Sequence, residues 1–175
     1  MPDTLVTEFD SHAITLQVDA LSQILVDSVA SGAAVSFMSP LSRDDAGRFW
    51  LRDVKPAVLA GQRVLFGAAR DGELIGTVQL LTAMPPNQPH RCEVAKMMVH
   101  PRARRLGVGR ALMNVALDRA RALGKTLVTL DTRTGDVAEP LYKSVGFATA
   151  GVIPDFAWDP DGQAKHATTY MFCRI

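Results

Sequence analysis

The run Val99-His100-Pro101-Arg102-Ala103-Arg104-Arg105-Leu106-Gly107-Val108-Gly109 decides the fold. Ahead of it, residues 92–99 are apolar and β-prone, and Pro101 closes them as a strand because proline has no N–H to give a ladder. Behind it, Val108, Leu112, Ala116, Ala120 and Leu123 fall on one side of a helix over residues 107–123. Arg110, Asn114, Asp118 and Arg121 turn to water, and Gly124 stops the helix. Residues 127–130, extending toward Thr132, form a short β-prone run. Strand, helix and strand therefore make a βαβ unit with parallel strands and a right-handed crossover. The turn between first strand and helix reads as an anion site. Its glycines leave main-chain N–H groups approachable, the helix start presents unpaired donors, and the helix dipole adds partial positive charge there. Arg102, Arg104, Arg105 and Arg110 are further donors for phosphate oxygens.

Two familiar phosphate-binding patterns are excluded. A dinucleotide fingerprint needs Gly-x-Gly-x-x-Gly after the first strand, and the glycine spacing here is wrong. Gly124-Lys125-Thr126 has the letters of a Walker loop, but it leads from a helix into a strand, the reverse of the required context.

Toward the N-terminus, residues 4–9 read as a first strand and Ser11 as a helix cap. Leu16, Ala20, Leu21, Ile24, Leu25, Ser28 and Val29 share one helical face that ends at Ser31-Gly32. Residues 33–38 are an irregular linker. Ser42, followed by Asp44 and Asp45, starts a second amphipathic segment to about residue 59, with Gly61 as its stop. Residues 64–69 and 74–81 pair antiparallel around Arg70-Asp71-Gly72-Glu73, a hairpin signal. Pro85, Pro86 and Pro89 stiffen the loop 84–90. A short helix over 138–145, a strand over 147–152, a bend at Pro160-Asp161-Gly162 and a last strand over 166–173 complete an α/β (α+β) fold. Its mixed, mostly antiparallel sheet has six to seven strands flanked by helices, in a single domain, 1–175.

Hydrophobic residues make up 47% of the chain and charged residues 21%, which points to a folded protein throughout. A formal net charge of +1 gives no global field to draw nucleic acid or lipid, and the arginines of 102–110 lack the aromatic interleaving of a nucleic-acid surface. Cys92 and Cys173 have no metal-type spacing, so no metal site is expected and both read as buried strand residues. Pro2, Asp3, Glu8 and Asp10 stand where a leader would be basic and then apolar. No run reaches membrane-spanning length, and a cytoplasmic location is the expectation.

With these residues in place, the sequence resembles the GNAT superfamily of N-acetyltransferases. Their main motif is a strand, then Arg/Gln-x-x-Gly-x-Gly/Ala, then a helix, and Arg104, Gly107 and Gly109 fill those places. Leu141-Tyr142 and Gly146-Phe147 match the second motif. The resemblance implies a cleft for acetyl-CoA, made where the strands at 92–99 and 127–132 splay apart. The main chain near Met97, Met98 and Val99 would pair with the pantetheine arm, and Arg104, Arg105, Leu106, Gly107, Val108, Gly109 and Arg110 would hold the diphosphate. Gly135 stands where many members carry a pantetheine-contacting asparagine. Residues 32–38, Leu130-Asp131-Thr132, Val137-Ala138-Glu139 and Pro160-Asp161-Gly162 are similar to the tabtoxin-resistance branch. That likeness implies a small amino-acid-like or β-lactam amine as acceptor.

Acetyl transfer to an amine needs a base for the amine and an acid for the departing thiolate. Tyr142, at the second-motif position, is the candidate acid. Glu93, opening the strand beside the cleft, and Asp131, at the carboxyl end of the next strand, are the candidate bases; the likeness implies that they act together through water. His90, His100 and His166 are lower-ranked bases. Trp50, Trp158 and Phe37 are candidates for the acceptor pocket, set against the commoner role of core aromatics. A non-catalytic acyl-CoA-binding regulatory module and an enzyme acting on protein N-termini stay open as alternatives, as does a homodimer.

Overall fold

The computed structural model describes residues 4–175, so Pro2 and Asp3 lie outside the described residues. Among these residues, seven strands form one sheet: β1 (Leu5–Phe9), β2 (Arg63–Arg70), β3 (Glu73–Leu81), β4 (Arg91–Val99), β5 (Leu127–Arg133), β6 (Ala148–Trp158) and β7 (Lys165–Arg174). Their spatial order is β1-β2-β3-β4-β5-β7-β6, and only β4 and β5 run parallel. The helices are α1 (Ser11–Leu16), α2 (Val18–Ala30), α3 (Arg43–Arg48), α4 (Lys55–Leu59), α5 (Val108–Ala122) and α6 (Ala138–Ser144).

The sheet carries a core on each face, because alternate side chains of a strand point to opposite sides. On one face, Val64, Phe66, Val78, Leu80, Cys92 and Val94 pack beneath α5, whose Val108, Leu112, Met113, Ala116 and Ala120 are buried as the helical period requires. On the other, Leu65, Leu74 and Met98 meet Leu21, Ile24 and Leu25 of α2 together with Trp50. Asp71 (φ 53°) and Gly72 (φ 78°) are both left-handed between β2 and β3, as the hairpin reading requires.

Several elements depart from the sequence expectations. Asp10, not Ser11, caps the first helix, its carboxylate accepting the Ala13 N–H at 2.7 Å. That helix breaks at Gln17, which leaves Leu16 69% exposed and off the buried face. The segment from Ser42 to Gly61 is not one α-helix. Between α3 and α4, residues Phe49–Val54 widen into a π-helical turn, with Trp50 and Val54 buried. Leu123 ends α5 partly exposed. β6 runs to Trp158 instead of stopping at 152. It is exposed along nearly its whole length, and β7 rather than burial holds it, so burial periodicity could not mark its end. Both cysteines are buried as expected. Among the described residues no helix is long and apolar enough to cross a membrane.

Candidate active site

The cleft begins where β4 and β5 part. They are in register only at Arg91↔Leu127, Cys92↔Val128 and Glu93↔Thr129; beyond that, β5 keeps β7 as its partner while β4 stays with β3. Two strand edges that would normally bond to each other therefore face an opening, and Glu93 stands at its apex.

A β-bulge shapes the upper half of β4. From Ala95 to Met98 the strand takes three steps against two on β3, from Gln79 to Thr77, and Lys96 lies in the left-handed region at φ 50°. The extra residue reverses the alternation. Cys92 and Val94 belong to the core under α5, and after the bulge Met97 and Val99 pack against that same core while Met98 enters the opposite one. Met97, Met98 and Val99 thus follow the bulge along the edge that β5 has left.

β4 then leads into the turn before α5. His100 anchors it: Nε2 lies 2.9 Å from the Asp27 carboxylate on α2, and Nδ1 accepts the Arg102 N–H at 3.3 Å. Pro101–Ala103 form one 3-10 turn, and Arg105 (φ 65°) and Gly107 (φ 81°) are left-handed. The first bond of α5 runs from the Ala111 N–H to the Gly107 carbonyl at 3.1 Å. Consequently the main-chain N–H groups of Arg105, Leu106, Gly107, Val108, Gly109 and Arg110 have no acceptor among the described residues. Arg105 and Arg110 are exposed and have no acidic partner there, whereas Arg104 donates to the Ser31 hydroxyl at 2.9 Å and Arg102 pairs with Glu73. A cradle of free donors with two free guanidinium groups fits a diphosphate. Gly109 is needed for another reason: a Cβ there would lie 2.8 Å from Leu141 Cδ2, so glycine lets α5 close on α6.

Tyr142 sits on α6, buried, with its ring tilted against Phe147 at 6.1 Å. Its hydroxyl has no hydrogen-bond partner among the described residues. Burial pushes the phenol's pKa well up, and the negative charges of Asp136 and Asp131 add to the shift. The phenol, protonated at neutral pH even at its ordinary value, stays so to higher pH.

The two carboxylates stand on the strands that flank the cleft, Glu93 on β4 and Asp131 on β5. Asp131 accepts a hydrogen bond from the Thr168 hydroxyl at 3.0 Å, and Glu93 lies 3.3 Å from the Arg91 guanidinium. Between them and the linker at 33–38 stands Lys96, whose ammonium donates to the Ser36 hydroxyl at 3.1 Å and lies 6.0 Å from the Phe37 ring centroid. Burial lowers its pKa, Arg63 lowers it further, and Asp131 and Glu93 oppose the shift. Tyr170, paired in register with Asp131, has its phenol raised by burial, then by Asp131 and Glu93.

Sequence reading missed Lys96 and Tyr170. A signal for Lys96 existed: a lone charge in Val94-Ala95-Lys96-Met97-Met98-Val99, where apolar alternation fails. Of the aromatic candidates, only Phe37 borders this region. Trp50 is fully buried in the core, and Trp158 stands at the end of β6 with the Lys165 ammonium 5.3 Å from its ring centroid. The side chains of two of the three candidate histidines have partners. His100 anchors the turn, His90 lends its carbonyl to Thr126 and Leu127 at the closed end of the strand pair, and His166 Nδ1 lies 3.1 Å from the Ala167 carbonyl oxygen. The loop 84–90 is tied to that closed end by Lys125, whose ammonium reaches the Pro89 carbonyl at 2.8 Å. Gly135, at φ 77°, gives its N–H to Glu139 at 3.2 Å.

A cavity of ≈ 370 Å³ opens between the end of α2, at Ser31 and Gly32, and the end of β5, at Arg133. A larger one of ≈ 700 Å³, beside Glu8, Arg63 and Lys125, lies by the carboxyl end of α5 and lacks the free donors of the turn. Among the described residues no cluster of side chains could hold a metal.

The acetyltransferase (GNAT) family model matches residues 33–147, the stretch that contains the cleft, the turn and Tyr142. An uncharacterized N-acetyltransferase from the hisH-hisA intergenic region of Azospirillum brasilense is 29% identical over 75% of this chain and 79% of its own length. A mycothiol acetyltransferase from Sanguibacter keddieii is 33% identical over 77% of this chain, which spans 45% of that longer protein. A putative acetyltransferase from Salmonella typhimurium, solved with its cofactor acetyl-CoA, shares the fold at TM-score 0.79 and 18% identity, covering 98% of this chain and 93% of that one.

Proposed function

The chain belongs to the acetyltransferase (GNAT) family, and on that premise we propose that it moves the acetyl group of acetyl-CoA directly to the primary amine of a small, amino-acid-like acceptor. The observation that carries this reading is the row of six acceptor-free main-chain N–H groups over residues 105–110, set beside the gap between β4 and β5. Those groups, with Arg105 and Arg110, hold the diphosphate. The edge of β4 at Met97, Met98 and Val99 lies along the pantetheine arm.

Acetyl-CoA supplies a thioester, an activated acyl group. Glu93 and Asp131, acting through water, take a proton from the acceptor's ammonium group, so that its nitrogen is free to form the new amide bond. As the carbon–sulfur bond breaks, Tyr142 gives its phenolic proton to the leaving thiolate, and the second proton shed by the new amide nitrogen restores the phenol. The position of Tyr142 on α6, with a hydroxyl that no other group among the described residues engages, supports that role. A purely regulatory module has no use for an unpartnered phenol and two carboxylates around one cleft, which favours the catalytic reading.

A β-lactam-type acceptor of the tabtoxin-resistance kind is supported by the short sequence likenesses around residues 32–38 and 130–132 and belongs to the proposal. We take 1–175 as one catalytic domain, placed in the cytoplasm. A homodimer through β6 is supported by an edge strand that exposes Val152, Ile153, Phe156 and Trp158.

The test is calorimetric titration with acetyl-CoA, followed by thiol-release assays on a panel of small amines and N-terminal peptides. Micromolar binding with turnover of a small amine is expected. No binding removes the reading, and turnover confined to peptides moves it to protein N-termini.

A further inference from the structure

The acceptor side of the cleft contains more hydrogen-bond donors than the chain can satisfy. Lys96 is half-buried, and among the described residues no carboxylate lies within ion-pair distance of its ammonium; its one polar contact is the Ser36 hydroxyl. Gln79, paired in register with Ala95 next to the bulge, is fully buried. Its side-chain oxygen is taken by Arg63 at 2.7 Å, and its amide nitrogen has no partner. The Nε of Arg63 is likewise buried without a partner. Buried donors without acceptors are costly to a fold, by about 1–3 kcal/mol each and more for a charged group, so they are expected where a ligand completes them. The backbone points the same way. A left-handed lysine costs about 1–2 kcal/mol, and such strain collects at functional sites.

The geometry points to Lys96 as the residue that selects the acceptor: its ammonium binds a carboxylate carried next to the acceptor's amine, with the Gln79–Arg63 pair as the donor-rich floor behind it. The charges then divide the small molecule between them. Its anionic end meets Lys96 beside Ser36 and Phe37, and its ammonium end meets Glu93 and Asp131, the carboxylates whose charges already act on Lys96. The preferred substrate class is therefore an amino acid or a close analogue with a free carboxylate, and amines lacking that group are disfavoured. This inference rests on the acetyl-transfer reading above.

The test compares the common amino acids as free acids and as methyl esters, with acetyl-CoA, on wild type, Lys96→Met and Lys96→Gln. Wild type is expected to prefer free acids. Lys96→Met should lower kcat/KM for them by about 30-fold or more, mostly through KM, because the acceptor's anion loses its partner. Esters should change by less than about threefold, and acetyl-CoA binding should be unaltered. Lys96→Gln, which keeps a donor toward Ser36, guards against a folding defect and should reproduce the selectivity change. Equal losses on acids and esters, or a wild type indifferent to esterification, overturn the assignment while leaving acetyl transfer intact. Failure of the wild type to bind acetyl-CoA removes the underlying reading instead.

Discussion

Replacing Tyr142 by phenylalanine separates chemistry from folding because of how this side chain is placed. Its ring packs against Phe147 and contributes to the core under α5, while its hydroxyl bonds to nothing among the described residues. Removing the oxygen keeps the apolar contacts and orphans no partner, so the unfolding free energy at neutral pH should move by less than about 1 kcal/mol. Acetyl-CoA affinity should hold within about twofold, because the donors at 105–110 are untouched. If the phenol is the general acid, kcat should fall by about 10²–10⁴, a barrier increase of about 3–5 kcal/mol. The alkaline side gives an independent check. The folded phenol's pKa is raised above its ordinary 10.0, so its protonated form persists and the wild-type rate should not decline below pH 10 on its account. The same shift contributes stability that is complete below the unfolded value and is lost as pH climbs through the folded one. Wild-type Tm should thus fall more steeply than that of Tyr142→Phe above about pH 10, with no such difference at pH 7. Steady-state thiol release, calorimetry and thermal melts measure the three quantities. A variant turning over within threefold of wild type refutes the assignment.

Gly109→Ala should destabilise by about 1–3 kcal/mol through overpacking and lower turnover, since the new Cβ displaces Leu141, next in sequence to Tyr142; adding Leu141→Ala should recover part of both losses in urea melts and kinetics. Gly107→Ala meets open space but keeps a left-handed backbone, so it should cost about 1 kcal/mol with no rescue from Leu141→Ala. Glu93→Gln and Asp131→Asn should each reduce kcat by at least about tenfold, and the double variant should be little worse than the poorer single one, as for groups that share a proton transfer; full multiplication of the two effects would mean separate roles. Burial pushes the Cys92 thiol up to about 11 and raises Cys173, so a thiol reagent at pH 8 should label neither cysteine until the protein is denatured.

The parts legible in the sequence are those whose signals are local. The period of α5, the glycines at 107 and 109 and the stop at Pro101 fixed the turn and the parallel pair, because capping and proline chemistry act within a few residues. The hairpin at 70–73 and a sheet of six to seven strands could be read in the same way. What escaped was set by tertiary pairing. That β4 and β5 separate after Glu93↔Thr129 depends on β7 being the better partner for residues 130–133. The length of β6 escaped because it buries neither face and so carries no alternation. The π-helical turn at Phe49–Val54 and the burial of Trp50 depend on packing against α2, which the amphipathic pattern does not distinguish from a regular helix. Tyr142, Glu93 and Asp131 could be singled out as candidates because motif position and strand ends marked them, whereas Lys96 lay inside a strand where such rules expect only core.

On the proposed reading, the bulge at Lys96 lets one strand serve both halves of the reaction. With strict alternation from Cys92 and Val94, residue 96 would point into the apolar core under α5, and Met97 and Val99 would turn away from it. A lysine in that core would be desolvated without a partner, at a cost of several kcal/mol. One extra residue reverses this. Met97 and Val99 pack on the α5 side, where they come within 3.8 Å of the position a Cβ would take on Gly109, and Met98 fills the opposite core. Lys96 emerges on the face of Ser36 and Phe37, on the acceptor side. The left-handed strain at one residue is thereby offset by three well-placed apolar side chains. On that reading, the same distortion sets both the edge offered to the thioester and the face from which Lys96 emerges. Because the bulge is a main-chain feature, truncating the Lys96 side chain should leave that edge, and acetyl-CoA binding, as they are.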